Sequence, residues 1–210
     1  MNTDIVAYYR DRAAEYENVY AKPHYLRDLT RMTAISQDIF RDKTVLEIAC
    51  GTGYWTERIA RTARAILATD INQSVLDMAA AKDYPTGNVA FRIEDVFGRY
   101  PGGTFDALFG GFIWSHILLE RLDEFLVCAL ERVPPGGAVV FVDSRYVPGY
   151  STPISQTDPS GNTYQTRRLE NGSEHLVLKN FPTPDFLRGK LPGAEVIELE
   201  YFWLAIAQRT

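Results

Sequence analysis

The residues best suited to chemistry begin with Glu47, set inside the run Val45-Leu46-Glu47-Ile48-Ala49-Cys50-Gly51-Thr52-Gly53-Tyr54-Trp55. There an apolar stretch passes straight into a glycine-rich turn and then into a helical pattern. Glycines permit a tight bend and let a ligand approach the backbone, beside the N–H groups of a helix start. Asp70 ends a second apolar run nineteen residues after Gly51, where nucleotide folds place a carboxylate against ribose hydroxyls. The competing job for Asp70 is to cap the next helix, but Asn72 already fits that position. The combination points to a nucleotide. It departs from the dinucleotide fingerprint, because Thr56 stands at the third glycine position. The acid Glu47 is also awkward beside a pyrophosphate, yet suits a ligand bearing an ammonium group.

A second set of candidates lies further on. In Phe112-Ile113-Trp114-Ser115-His116 the imidazole stands where an apolar strand gives way to a helix, at the edge of a cleft. Imidazole is suited to proton removal near neutral pH, so His116 is the candidate general base. The alternative is a histidine that satisfies local backbone or lines a pocket. Asp143, Arg145 and Tyr146 follow another apolar run, at the end of a strand where α/β sheets bind ligands. With Trp114 and Arg168 they form an expected pocket for an acidic or hydroxylated acceptor. His24 and His175 read as surface residues.

These side chains require a scaffold, and its order is readable. Helical pattern covers about 4–17 and 23–40, and strands are expected at 44–48, 65–70, 88–93, 105–109 and 138–143. Between them lie helical stretches at 54–62, 73–82 and about 115–132. Alternating strand and helix implies a doubly wound, mainly parallel α/β sheet with helices on both faces. Residues 145–162 are rich in proline and glycine and read as an irregular loop. Strands at 163–169 and 175–180 flank Glu170-Asn171-Gly172-Ser173, a hairpin with Asn-Gly at its tip. A helix at 184–191 and strands at 194–201 and 203–208 complete the reading.

With these elements in place, the chain resembles the class I S-adenosylmethionine (SAM) dependent methyltransferases, of the small-molecule type. Their first motif, acid-x-Gly-x-Gly-x-Gly, is matched by Glu47-x-Ala49-x-Gly51-x-Gly53, with Ala49 replacing the first glycine. The resemblance implies a Rossmann-like sheet of seven strands, SAM as cofactor and S-adenosylhomocysteine (SAH) as product. It places Glu47, Ala49, Gly51, Thr52 and Gly53 around the amino-acid part of the donor. Asp70 then takes the ribose, Ile71 lies against adenine, and Glu94-Asp95-Val96 supplies an acidic adenine contact. Gly110 and Phe112 pass the methionyl group. Tyr8 to Tyr16 resembles the Tyr-x-x-x-Ala-x-x-Tyr opening of relatives in which this segment closes as a lid, with Tyr9, Tyr16 or Tyr20 touching donor or acceptor. The expected layout is one domain: lid 1–40, SAM-binding core 41–143, acceptor loop and hairpin 144–182, and C-terminal helix and strands 183–210.

Composition narrows the function. A net charge of −5 gives no basic field for nucleic acid. Two cysteines offer no disulfide framework, and no spacing suggests a metal. The N-terminus does not read as a signal peptide, and no stretch approaches the ~20 apolar residues of a membrane span. The expectation is a cytoplasmic enzyme, monomer or homodimer, that methylates oxygen or nitrogen of a small molecule without a metal. The rivals are a methyltransferase for protein or RNA, a noncatalytic SAM-binding subunit and an NAD-dependent oxidoreductase.

Overall fold

The computed structural model describes residues 8, 12, 17, 19–84, 87–98 and 105–210. Strands β1 (Thr44–Ile48), β2 (Ala65–Asp70), β3 (Val89–Ile93), β4 (Ala107–Gly111) and β5 (Ala138–Ser144) pair in parallel. A small antiparallel sheet of β6 (Gln156–Thr157), β7 (Thr163–Arg168) and β8 (Glu174–Leu178) follows. Strands β9 (Glu195–Glu198) and β10 (Phe202–Gln208) return to the main sheet, whose order is β3-β2-β1-β4-β5-β10-β9. The order reverses direction between β1 and β4, the crevice where doubly wound sheets bind ligands.

Both faces of the sheet are buried, which explains why its strands are apolar runs rather than alternating ones. Val45 points into one core with Phe109, Val140 and Leu204. Leu46 and Ile48 point into the other, with Leu108, Phe141 and Trp203. Helix α1 (Leu26–Phe40) covers the first face through Leu29, Met32, Ser36 and Phe40, at the spacing of one helical stripe. Helices α2 (Tyr54–Ile59) and α3 (Gln73–Ala80) follow β1 and β2. Helix α4 (Leu122–Leu130) buries Leu122, Phe125, Leu126 and Ala129, and α5 (Pro184–Lys190) is capped by Thr183, whose side chain accepts the Phe186 N–H.

Three expectations need correction. Strand β4 runs two residues beyond the expected 105–109, because Gly110 lies opposite Ile48 and Phe141 in the ladder. The helix expected from 115 is two short 3₁₀ turns, Trp114–His116 and Leu119–Arg121, ahead of α4. Tertiary partners claim the backbone there. Asp143 accepts the Ser115 N–H, Asn180 donates to the Ile117 carbonyl, and Asn162 accepts the Leu119 N–H. Lastly, β9 stops at Glu198 because the hairpin to β10 closes there, the Leu199 N–H donating to the Phe202 carbonyl at 2.9 Å, and the buried carboxylate of Asp28 takes the Tyr201 N–H of that turn at 2.8 Å. Tyr9 and Tyr16, and the helix expected around them, lie outside the described residues.

Candidate active site

The glycine-rich turn, where the donor is expected, is built at the carboxyl end of β1. The turn after it holds Ala49, Gly51 and Gly53 at φ of 52°, 56° and 81°. Glycine is needed at 53 for space as well as for φ, since a Cβ there would stand 2.9 Å from the Tyr84 hydroxyl and 3.0 Å from the Ala79 Cβ. Ala49 adopts the same left-handed region with a side chain, a strain of about 1–3 kcal/mol. Asp70 fastens the turn. Its Oδ2 accepts the Gly51 N–H and its Oδ1 the Asn72 N–H, both at 2.9 Å. Each carboxylate oxygen has a second lone pair, so these bonds leave acceptor capacity for a hydroxyl. Burial raises the Asp70 pKa.

Glu47 shares the β1 face of Val45 and is 1 % exposed. Its Oε2 has no hydrogen-bond partner among the described residues, and burial pushes its pKa up to about 8. A buried carboxyl oxygen without a partner, beside a glycine turn that Asp70 braces, is a fit for a ligand that brings a cation. The N-terminal segment reaches the same turn. Thr52 donates to Glu17 at 2.8 Å, Lys82 pairs with that carboxylate, and the Tyr20 ring stacks on Tyr54 with centroids 3.7 Å apart.

Glu94 is engaged within the protein. Its carboxylate is taken by Arg132 and Arg92, and Arg132, itself buried, also donates to the Val96 carbonyl at 2.8 Å. This ion pair holds the end of α4, beside the Asp95 and Val96 that follow Glu94. Asp95 accepts the Phe97 N–H at 3.0 Å. Ile71 lies half-buried directly after Asp70. Gly110 faces the Phe141 ring, which a Cβ would meet at 2.6 Å, so its glycine serves packing.

A cavity of about 450 Å³ lies between the N-terminal segment, the end of β4 and the small sheet. Tyr20 and Phe112, expected beside the donor, line it together with His116, Arg145 and Arg168. Phe112 sits at φ 59° with its ring 5.7 Å from Tyr20, forming an aromatic wall toward the glycine turn. His116 is buried and its Nδ1 lies 2.6 Å from the Leu178 carbonyl. A carbonyl can only accept, so Nδ1 carries the proton and Nε2 carries the lone pair. Burial, with the nearby Lys179 charge, lowers its pKa well below the usual imidazole range, which keeps the ring neutral.

Three expected acceptor contacts lie elsewhere. Trp114 is a core residue, packed against Phe141 and Trp203 because the 3₁₀ turn faces it inward. Tyr146 stacks edgewise on Phe181 and lines a separate cavity of about 210 Å³. Asp143 is fully buried behind the wall, accepting from the Ser115 and Ser144 N–H groups and from Lys179 at 2.7 Å. Lys179 is the residue that sequence reasoning missed. It lines the cavity, and it also donates to the Ser115 hydroxyl at 2.7 Å. The local sequence around it reads as a strand end, and only an apolar strand ending in Lys-Asn beside an unexplained buried Asp143 hints at the pair.

Among the described residues no cluster of three or more His, Cys, Asp or Glu is placed to hold a metal, and no helix is long and apolar enough to cross a membrane. Residues 45–137 match the family model described as a methyltransferase domain. The chain is 24% identical over 166 residues to demethylmenaquinone methyltransferase of Tropheryma whipplei (strain Twist), covering 72% of this chain and 67% of that one. Two solved structures superpose on nearly the whole chain. The DhpI-SAM-HEP complex has a TM-score of 0.77 at 26% identity, covering 98% of each chain. The DhpI-SAH complex has a TM-score of 0.75 at 28% identity, covering 97% of this chain and 94% of that one.

Proposed function

Since the chain belongs to the class I SAM-dependent methyltransferases, we propose that it moves a methyl group from SAM to an oxygen or nitrogen of a small-molecule acceptor. The observation that carries the acceptor class is the cavity of about 450 Å³, whose size suits a small molecule. Its walls include Tyr20 and Phe112, which border the glycine turn. The relative named as a demethylmenaquinone methyltransferase is in keeping with a small-molecule acceptor.

SAM, when bound, supplies a methyl on a positively charged sulfur, open to in-line attack. The residues of this chain do the rest. Gly51 and Gly53 keep the turn bare of side chains, Asp70 accepts from ribose hydroxyls, and Glu47 offers its partnerless oxygen to the ammonium of the amino-acid part. Asp95, Val96 and Ile71 border the adenine. The faces of Tyr20 and Phe112 favour a nearby sulfonium, by up to ~2 kcal/mol where water is excluded. His116 accepts the proton that a hydroxyl or amine acceptor loses, through Nε2. Alignment within the cavity supplies much of the barrier reduction, of order 7–11 kcal/mol in favourable cases.

The test is incubation of the full chain with methyl-labelled SAM and a metabolite extract, followed by mass spectrometry of the small-molecule and polymer fractions. Label in a small molecule supports the proposal. Label confined to protein or RNA, or SAM binding without transfer to anything, overturns it.

A further inference from the structure

Resting on the reading that this cavity receives the methyl acceptor, we propose that the acceptor carries an oxyanion, phosphoryl or carboxylate, held by Lys179 together with Arg167 and Arg168 of the hairpin. The charge of the wall is the first observation. Arg12, Lys22, Arg145, Arg167, Arg168 and Lys179 line the cavity, and Glu170 is the one carboxylate among its described lining residues. This stands in a chain whose net charge is −5, so the concentration of cations is local.

Internal partners account for part of that charge. Arg145 is tied to the Leu199 carbonyl and to Glu198 at 3.1 Å. Arg12 lies over the Tyr8 ring at 5.7 Å. Arg167 gives two donors to the side-chain oxygen of the buried Gln165, the closer at 2.8 Å, which fixes its fork on the wall. No hydrogen bond or ion pair engages Arg168 among the described residues, and it sits at the exposed end of β7 beside the cavity.

Lys179 is the second observation. It is 4 % exposed, and its ammonium spends two of three donors on Asp143 and the Ser115 hydroxyl. The third has no hydrogen-bond partner among the described residues, while the side chain borders the cavity. A buried cationic donor left short of one acceptor is costly, and a ligand oxygen relieves it. Planar guanidinium forks and a point-charge ammonium are the groups that recognise carboxylate and phosphoryl oxygens. A concave cavity of about 450 Å³, rather than a long basic stripe, suits a small anion better than a nucleic-acid strand.

The full chain, with and without saturating SAH, is titrated by calorimetry with inorganic phosphate, with acetate and with neutral ethylene glycol. At least one anion binds while the glycol does not, and Arg168→Gln or Arg167→Gln weakens that anion by about tenfold or more. Tighter phosphate identifies a phosphoryl head group, and tighter acetate a carboxylate. Lys179→Gln leaves Asp143 buried without its cation and can fail to fold, so the test rests on the two arginine variants. The proposal falls if neither anion binds, if the glycol binds as well as they do, or if both arginine variants leave anion affinity unchanged. Phosphate binding in a protein that ignores SAH sinks the methyltransferase reading and leaves the anion site standing.

Discussion

At Glu47, burial opposes the charge that a donor's ammonium would favour. The carboxyl in the folded chain has a pKa of about 8 against an ordinary 4.5. Between those values the folded state holds a proton that the unfolded state has lost. Stability contributed by this group therefore falls as pH rises through the window, by up to about 1.4 kcal/mol per unit. Asp70 pushes in the same direction and Lys82 against it. A bound ammonium favours the ionised form, so SAH binding below pH 8 releases a proton and tightens by up to about tenfold per unit between pH 6 and 8. Calorimetry in buffers of different ionisation enthalpy reads that proton, and Glu47→Gln should abolish both the release and the slope. His116 makes a separate prediction. With Nδ1 bound to the Leu178 carbonyl, a base role requires that His116→Ala lower turnover by about 10²–10⁴ while SAH affinity holds. Full turnover at saturating acceptor, with only a weaker apparent acceptor affinity, would assign it to pocket lining.

The glycine turn is the element that local sequence specifies best. Gly51, Gly53 and Asp70 are recognisable because strand, bend and helix follow one another directly, and the Asp70–Gly51 bond joins neighbouring strands. Gly53→Ala meets Tyr84 and Ala79 at φ 81° and should cost at least about 1–3 kcal/mol, seen as a fall in Tm of several degrees. Ala49→Gly, which removes a strained side chain, should leave Tm level or higher. The acceptor side was less legible for a physical reason. Lys179 meets Ser115 and Asp143 across 64 and 36 residues, and His116 meets Leu178 across 62. No local pattern announces such partners. The same long-range bonds replaced the expected helix from 115 with 3₁₀ turns and swung Trp114 into the core. The ion pair of Glu94 was hidden for a related reason, since its partner Arg132 belongs to the segment that ends α4.

On the scale of the molecule, the strands of the main sheet were legible as apolar runs separated by helical pattern, while their order, β6 and the true ends of β4 and β9 were set by pairing between strands. The sheet reverses its order between β1 and β4, and both halves of the site gather at that crevice: the glycine turn leaves β1, and Phe112 leaves β4 toward the cavity. Donor binding is the claim from which the rest follows. Its most direct measurement is a titration of the full chain with SAH, in parallel with NADH, by calorimetry and thermal denaturation. The wild type should bind SAH one to one and gain about 2.7 kcal/mol at a hundred times its Kd, a rise of about 5–10 °C. Asp70→Asn, which keeps the shape of the side chain but leaves one of the Gly51 and Asn72 N–H groups without its acceptor, should lose most of that gain. NADH should give none. An NADH shift without one from SAH, or an equal SAH shift in wild type and Asp70→Asn, would contradict the account.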